Sequence, residues 1–374
     1  MISVLQAVIP DPDPLPLPAP AGILWFLLIL TFLLHVLPMN LVLGGSVIGS
    51  ITERLGRKEN RPHHRLLALR LAKVMPAAVA FTITLGVAPL LFLQVLYGRL
   101  FFTSSILMAW PWLAIVPLLI VAYYGVYFRA FRGERLGGWG SLVGWMSTLL
   151  FMTIGFLFTN NMTLMLRPER FRERYLAGHG TYLLNLDDPT VYPRFLHFFV
   201  GAIAVSGMMI VVLGLLRRRR EPEFAQWAIR YGSSWFAYPT ALNMAIGVWW
   251  FLALPEQAML RFLGGDPFAT AVFAIGVALA LVVLMLMLMA SQSTNPAPQA
   301  TAGAILLLFL LIAMTLNRDQ VRRGALEAAG FEPTLWVATQ WGPILLFLVL
   351  LAGAIATIWW MVAALTRKAD SPSG

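Results

Sequence analysis

Two histidines of this chain stand inside apolar stretches. The first lies in Thr31-Phe-Leu-Leu-His35-Val-Leu-Pro38-Met-Asn-Leu-Val-Leu-Gly44-Gly45-Ser-Val-Ile-Gly49, the second in Arg194-Phe-Leu-His197-Phe-Phe-Val-Gly201. The whole sequence holds five histidines. An imidazole in hydrocarbon is costly unless it finds a partner, so an ionisable group in such a place marks a site by default. Two chemistries suit it there: ligation of a metal, or a hydrogen bond to backbone freed from a helix.

The neighbours sharpen each reading. Arg194 lies three residues before His197 and Gly201 four after it, so all three share one helical face. Imidazole binds iron, a missing side chain one turn away leaves room for a porphyrin, and a guanidinium near the surface suits a propionate. The alternative is a hydrogen-bonded interfacial histidine beside a snorkelling arginine. For His35, Pro38 clashes with the carbonyl of Leu34, which predicts a kink and a freed acceptor. Imidazole Nδ1–H can bond that carbonyl or a neighbouring one, leaving Nε2 for a metal; or the histidine serves the kinked backbone alone. Gly45-x-x-x-Gly49 allows another helix to approach closely. Met314-Thr-Leu-Asn-Arg318 repeats the pairing of a soft ligand with an arginine one turn away, and is read either as a ligand or as core packing. His63, His64 and His179 fall in loops and are expected to be solvated.

The elements that position these residues cross a membrane. Of 374 residues, 59% are hydrophobic and only 12% charged, against about 25% charged in soluble domains. Apolar runs of about 17–25 residues give nine spans, at 22–52, 74–98, 105–128, 138–162, 194–216, 232–255, 268–290, 300–316 and 341–366. The fold expected is all-α and polytopic: a first four-helix bundle over 22–166, a second over 194–316, and one further span at 341–366. An outer segment (1–21), two outer loops (167–193 and 317–340) and an inner tail (367–374) complete it. Met1–Pro20 lacks Lys and Arg and is proline-rich, unlike the basic start of a cleaved signal peptide, and is expected to stay on the chain.

Charge sets the orientation. The loops at 53–73, 129–137 and 217–231 and the tail hold 17 of the 27 Lys and Arg, while the other side holds 11 of the 17 acids. The positive-inside rule then gives N-out and C-in. In that frame His197 lies within a turn of the outer surface, as does Met314. His35 is 13 residues into its span, about 20 Å deep at ~1.5 Å per residue. The charged pieces Arg167–Tyr175 and Arg318–Arg323 read as segments lying along the interface, or as covers for a cofactor or a partner. Trp25, Tyr97, Trp110, Trp250 and Trp341 at span ends read as interface anchors.

Several classes are excluded. The net charge of +10 is distributed as topology demands, so nucleic-acid binding is not implied. The absence of cysteine rules out disulfides, thiolate-bound metals and covalent haem attachment. No nucleophile, zinc-protease or phosphate-loop motif occurs, and no carboxylate lies well inside a span.

The sequence resembles subunit I of cytochrome bd-type quinol oxidases. Arg194-Phe-Leu-His197-Phe-Phe-Val-Gly201-Ala-Ile-Ala-Val-Ser-Gly207 is similar to that family's fifth helix, and the resemblance implies that His197 is an axial ligand of a low-spin haem b. His35-Val-Leu-Pro38-Met-Asn-Leu-Val-Leu-Gly44 resembles its first helix, which implies a haem ligand of the oxygen-reducing pair at His35. Gly86-Val-Ala-Pro-Leu-Leu-Phe-Leu-Gln94-Val-Leu-Tyr97-Gly98 is similar to the glycine-bounded end of its second helix, and Asn160-Asn161-Met162 to its Asn- and Met-containing segment. On this likeness Arg194, Gly201, Arg318, Gln94 and Met162 are candidates to touch cofactor, and His197, His35 and Met314 are candidate iron ligands. The departures are chemical. Gln94 stands where the family has a glutamate, and the third span, Ser105-Ile-Leu-Met-Ala-Trp-Pro-Trp-Leu-Ala-Ile-Val-Pro117, lacks its acids. No methionine occurs in Asp266-Pro-Phe-Ala-Thr-Ala-Val-Phe, Met314-Thr315 replaces a glutamate ligand, and the quinol-binding loop shrinks to about Glu256–Asp266.

The expectation is therefore a non-covalent haem b subunit of a prokaryotic inner membrane. It would move electrons between the quinone pool, with quinol as a possible substrate, and a periplasmic cytochrome c or other redox partner, beside a partner membrane subunit and without reducing oxygen. A terminal quinol oxidase and a haem-free structural anchor are the rival readings.

Overall fold

The computed structural model describes residues 16–58, 60–133, 135, 137–178, 184–331 and 336–368. His179, parts of both long loops and most of the N-terminal segment and C-terminal tail lie outside the described residues. Nine long helices carry the fold: α1 (Ala21–Lys58), α2 (Pro62–Met108), α3 (Ile115–Arg132), α4 (Gly138–Leu164), α5 (Val191–Arg217), α6 (Pro222–Leu252), α7 (Pro267–Gln292), α8 (Ala297–Ala328) and α9 (Trp341–Lys368). Among the described residues, eight helical stretches are long and apolar enough to cross a membrane. The other long helix is α6, whose Pro239, Thr240 and Asn243 dilute its apolar run.

Helices α1–α4 pack as one bundle and α5–α8 as a second, joined chiefly by α1 against α5. That joint is a backbone contact. A Cβ on Gly44 would lie 2.1 Å from the Ala202 carbonyl oxygen, and Ser206 Oγ donates to the Asn40 carbonyl at 2.8 Å. The expected close approach at Gly45 and Gly49 is thus displaced by one residue, because Gly45 meets Leu41 and Met75 and Gly49 meets Leu71. Inside the second bundle, α5 and α6 touch at Gly207 and Gly232, where a Cβ on Gly232 would lie 2.6 Å from the Gly207 carbonyl oxygen.

Helix boundaries depart from the hydropathy reading in three places. Helix α2 has 47 residues, about 70 Å at ~1.5 Å per residue, against a bilayer core of ~30 Å. It breaks at Tyr97 (φ −134°, ψ 29°) and ends at Ala109, whose φ is +49°, so the expected connection at 99–104 is helical. A single turn, Trp110–Leu113, precedes α3. Helix α8 runs on to Ala328 through the first part of the expected outer loop. Helix α1 passes Pro38 as one continuous helix.

Both ends of the bundles are tied down. At the end rich in basic residues, Arg129 bonds Glu53 (2.6 Å) and Ser50 (3.2 Å), and Arg70 and Arg217 both bond Glu221. His64 is 6% exposed, its ring 4.7 Å from Trp227 and 5.2 Å from Tyr231. The His63 ring lies 6.1 Å from Phe224, edge-on, and 5.6 Å from Trp227. The expectation of solvated histidines is corrected for His64, which is buried in this aromatic cluster, while His63 is half-buried at its edge, because α2 starts at Pro62 and carries both against α6. At the other end, Arg167 bonds Asp188 at 2.9 Å, Asn160 accepts the Asn185 N–H at 2.9 Å, and Arg170 and Arg174 reach Asp187. Helix α9 stands at the edge, its Phe347 ring 4.9 Å from Phe92. The chain leading into it pairs with the chain leading into α1: Leu17 N–H donates to Trp336 and Ala338 N–H to Leu17.

Asp266 starts α7 by accepting the N–H groups of Phe268 (2.9 Å) and Ala269 (3.0 Å). The Ala269 amide lowers its carboxyl below the usual range, burial opposes this, and Arg261 and the Phe268 amide lower it further. A carboxylate so held contributes stability above its ordinary pKa, and that contribution is lost as pH falls through the depressed folded value. Asp266→Ala is expected to cost about 1 kcal/mol at neutral pH and nothing in strong acid, read by thermal unfolding in detergent. Gly44→Leu is expected to cost about 3 kcal/mol or more and to scatter the protein on size exclusion. Gly22→Leu, with nothing within 4 Å of its Cβ, should leave both readings unchanged.

Candidate functional site

Both intramembrane histidines turn to the neighbouring helix. His35 Nδ1–H on α1 donates to the Thr82 carbonyl of α2 at 3.0 Å. His197 Nδ1–H on α5 donates to the Asn243 carbonyl of α6 at 3.3 Å. Of the acceptors expected for His35, the Pro38-freed carbonyl or a neighbouring one, the ring takes a carbonyl of the adjacent helix. A carbonyl only accepts, so Nδ1 carries the proton in each bond, and a neutral imidazole then keeps its lone pair on Nε2.

An aromatic ring and an arginine accompany each histidine. The His35 ring is 6.3 Å from Phe32, and Arg318 Cζ of α8 lies 4.1 Å over the Phe32 ring. The His197 ring is 5.4 Å from Trp250, and Arg194 Cζ lies 5.7 Å over the Trp250 ring. Arg318 thus reaches the Phe32–His35 pair from α8, while Arg194 stands on the same helix as His197. Among the described residues neither Arg194 nor Arg318 has a carboxylate partner, and the Asn243 Oδ1 and Trp250 Nε1 atoms are buried without a hydrogen bond. The arrangement offers two nitrogen lone pairs beside aromatic rings, and two arginines with no carboxylate at ion-pair distance among the described residues.

Beside them lies a buried acid. Asp319 is 2% and Arg322 4% exposed; Asp319 pairs with Arg322 at 3.3 Å and Arg323 at 2.7 Å. Arg322 Cζ is 5.3 Å from the ring of Tyr97, which is itself 3% exposed and accepts a hydrogen bond from Trp25 Nε1 at 3.1 Å. The expectation of no buried carboxylate in the helices is thus corrected: α8 extends beyond Asn317 and folds Asp319 into the bundle. Tyr97 likewise is a buried residue at the break in α2, not a surface anchor.

The other candidates scatter. Met314 is seated against α7, since a Cβ on Gly276 would lie 2.9 Å from its Cε. The room left by Gly201 is taken by Asn243, whose Nδ2 would be 3.3 Å from a Cβ there. Met162 packs in the core of the first bundle with Leu164 and Phe171. Gln94 is half-buried, three residues before the break at Tyr97. Thr82, Asn243, Gly86, Gly247 and Asp319 had no signal in the sequence as contacts of the histidines and arginines, because each depends on helix register.

No family model matches the sequence, and no curated protein matches it. Solved structures do. The structure of bd oxidase from Geobacillus thermodenitrificans includes a chain that superposes with a TM-score of 0.73, over 96% of this chain and 100% of that one, at 12% identity. The fold is bd-oxidase-like. It is an all-α, multi-pass membrane fold, and at 12% identity the likeness to bd oxidase extends to architecture and not to individual side chains.

Breaking the buried ion pair tests its place in this site. Asp319→Ala leaves Arg322 and Arg323 unpaired and is expected to cost about 3–5 kcal/mol. The double variant Asp319→Leu with Arg322→Met should recover most of that loss in thermal unfolding.

Proposed function

We propose that this chain is a haem b-binding electron-transfer subunit of a prokaryotic cytoplasmic membrane, with His197 and His35 as iron ligands near the outer face. The observation that carries this reading is the hydrogen bonding of the two imidazoles: each gives its Nδ1–H to backbone and keeps Nε2 as a donor for a metal. The residues fit such a group. Each imidazole lies beside an aromatic ring, Phe32 or Trp250, and Arg194 and Arg318, with no carboxylate at ion-pair distance among the described residues, suit propionates. Orphaned Asn243 Oδ1 and Trp250 Nε1 lie beside His197. When bound, haem b supplies one-electron transfer; the chain's own part is to orient the imidazoles, exclude water and balance charge.

In this reading electrons pass between the quinone pool and a periplasmic cytochrome c or other redox protein, with a partner membrane subunit and without oxygen reduction. Gln94 and the acid-free third span supply no carboxylate near His35, and the buried acids Asp319 and Asp188 are held by Arg322 with Arg323 and by Arg167. Met314 enters as a packing residue. Asp319 also favours one rival, a terminal quinol oxidase, because a carboxylate that leaves its arginines can carry a proton. Oxygen uptake with a quinol donor separates the two: a rate at the level of the electrode's background fits electron transfer alone, and a robust rate fits the oxidase.

The reduced-minus-oxidised spectrum of protein purified with haem available tests the reading as a whole. A haem b α-band is expected, lost by at least half in His197→Ala and diminished in His35→Ala. Absence of any α-band would leave the haem-free anchor as the surviving account.

A further inference from the structure

The two histidines share a second feature that hydrogen bonding alone does not demand. The residue four places after the accepting carbonyl is glycine in both cases: Thr82 is followed by Gly86, and Asn243 by Gly247. In an α-helix the N–H of that residue bonds the same carbonyl, so the glycine stands directly beside the second, side-chain donor. A Cβ built on Gly86 would meet His35 Cε1 at 2.8 Å and Nδ1 at 3.0 Å; one built on Gly247 would meet His197 Cε1 at 3.1 Å and Nδ1 at 3.2 Å.

These contacts differ in kind from those of the packing glycines. The nearest atoms to a Cβ at Gly44 or Gly207 belong to the backbone of a neighbouring helix. The three nearest at Gly86 all belong to the His35 ring, and at Gly247 nothing but the His197 ring comes within 4 Å. The space is thus reserved for an imidazole. The separations in sequence agree as well, 47 residues from His35 to its acceptor and 46 from His197 to its own. Each lies between the first two helices of a four-helix bundle, so the device is repeated across the two halves of the chain.

We infer that Gly86 and Gly247 are positioning residues of two equivalent histidine mounts, one per bundle. Each brings an imidazole onto a helix carbonyl, fixes the Nδ1–H tautomer and presents Nε2 to an iron-bearing ring. The ligand class rests on the haem reading above; the mounts themselves do not.

A sign reversal tests them. Alanine is a better helix former than glycine, so Gly86→Ala should stabilise α2 wherever no imidazole opposes it. In the full chain purified from membranes, Gly86→Ala is expected to lower the thermal-unfolding midpoint by several degrees, and to raise it when made in a His35→Ala background. Gly247→Ala should behave in the same way against His197→Ala, with a smaller amplitude because its contacts are longer. Gly155→Ala, whose nearest contact would be 3.8 Å, should have one sign in every background. A loss of stability that is the same with and without the histidine would overturn the inference and make Gly86 and Gly247 ordinary packing residues. A variant that fails to accumulate with His35 present but accumulates with His35→Ala gives the expected answer in stronger form; failure in both overturns it.

A second reading uses the bound group. Gly86→Ala should lower haem per chain through the His35 share alone, and Gly247→Ala should shift the midpoint potential of the His197 share. If the wild-type chain carries no haem but the sign reversal is seen, the haem reading falls and the mounts stand. If haem is present, neither glycine variant changes its content, spectrum or potential, and no sign reversal is seen, the mounts fall and the haem reading stands.

Discussion

An imidazole buried between apolar helices must give its N–H to something, and here that something is a carbonyl already engaged within a neighbouring helix. His35 and His197 both meet this constraint by crossing from one helix to the next. Most of the arrangement follows. The accepting helix must come within hydrogen-bond reach, which sets how closely α1 approaches α2 and α5 approaches α6. The position one turn beyond the acceptor must be empty, which accounts for Gly86 and Gly247. The remaining ring nitrogen is left with a lone pair.

The cations answer to the same low-dielectric surroundings. A guanidinium away from water needs an anion or an aromatic face. Asp319 serves Arg322 and Arg323, while Arg194 and Arg318 rest on Trp250 and Phe32. The rings that carry these two arginines are the same rings that flank the histidines. Each histidine is thus accompanied by one aromatic ring and one arginine. The end rich in basic residues uses its acids differently: Glu53 and Glu221 bridge helix ends through Arg129, Arg70 and Arg217 and carry no sign of a site.

Much of this was legible in the sequence, and the remainder was hidden for identifiable reasons. Hydropathy finds spans because length and apolarity are local, so the all-α membrane fold and the position of His35 and His197 within long helices were readable. Arg194 and Arg318 were readable from their spacing to His197 and Met314. Hydropathy could not show that α8 continues past Asn317, because buried Asp319 and Arg322 neutralise each other and look like a surface run when read singly. It could not show the break at Tyr97 or the packing of His64 against Trp227 and Tyr231, which depend on tertiary register. The sequence could not show that Met314 lies against Gly276 of α7 or that Asn243 lies beside Gly201, since both contacts depend on how the helices pack. The acceptors of the histidines are backbone atoms, which no residue type announces.

The central claim is that Nε2 of His197 and of His35 faces a metal-bearing ring. Electron cryomicroscopy of the full chain, purified from membranes without added cofactor, tests it most directly. The account predicts planar porphyrin density joined to Nε2 of His197, with a second at His35 and carboxylate arms at Arg194 and Arg318. Side chains, lipid or water in hydrogen-bond contact with both Nε2 atoms, in protein that was made with haem available, would contradict it.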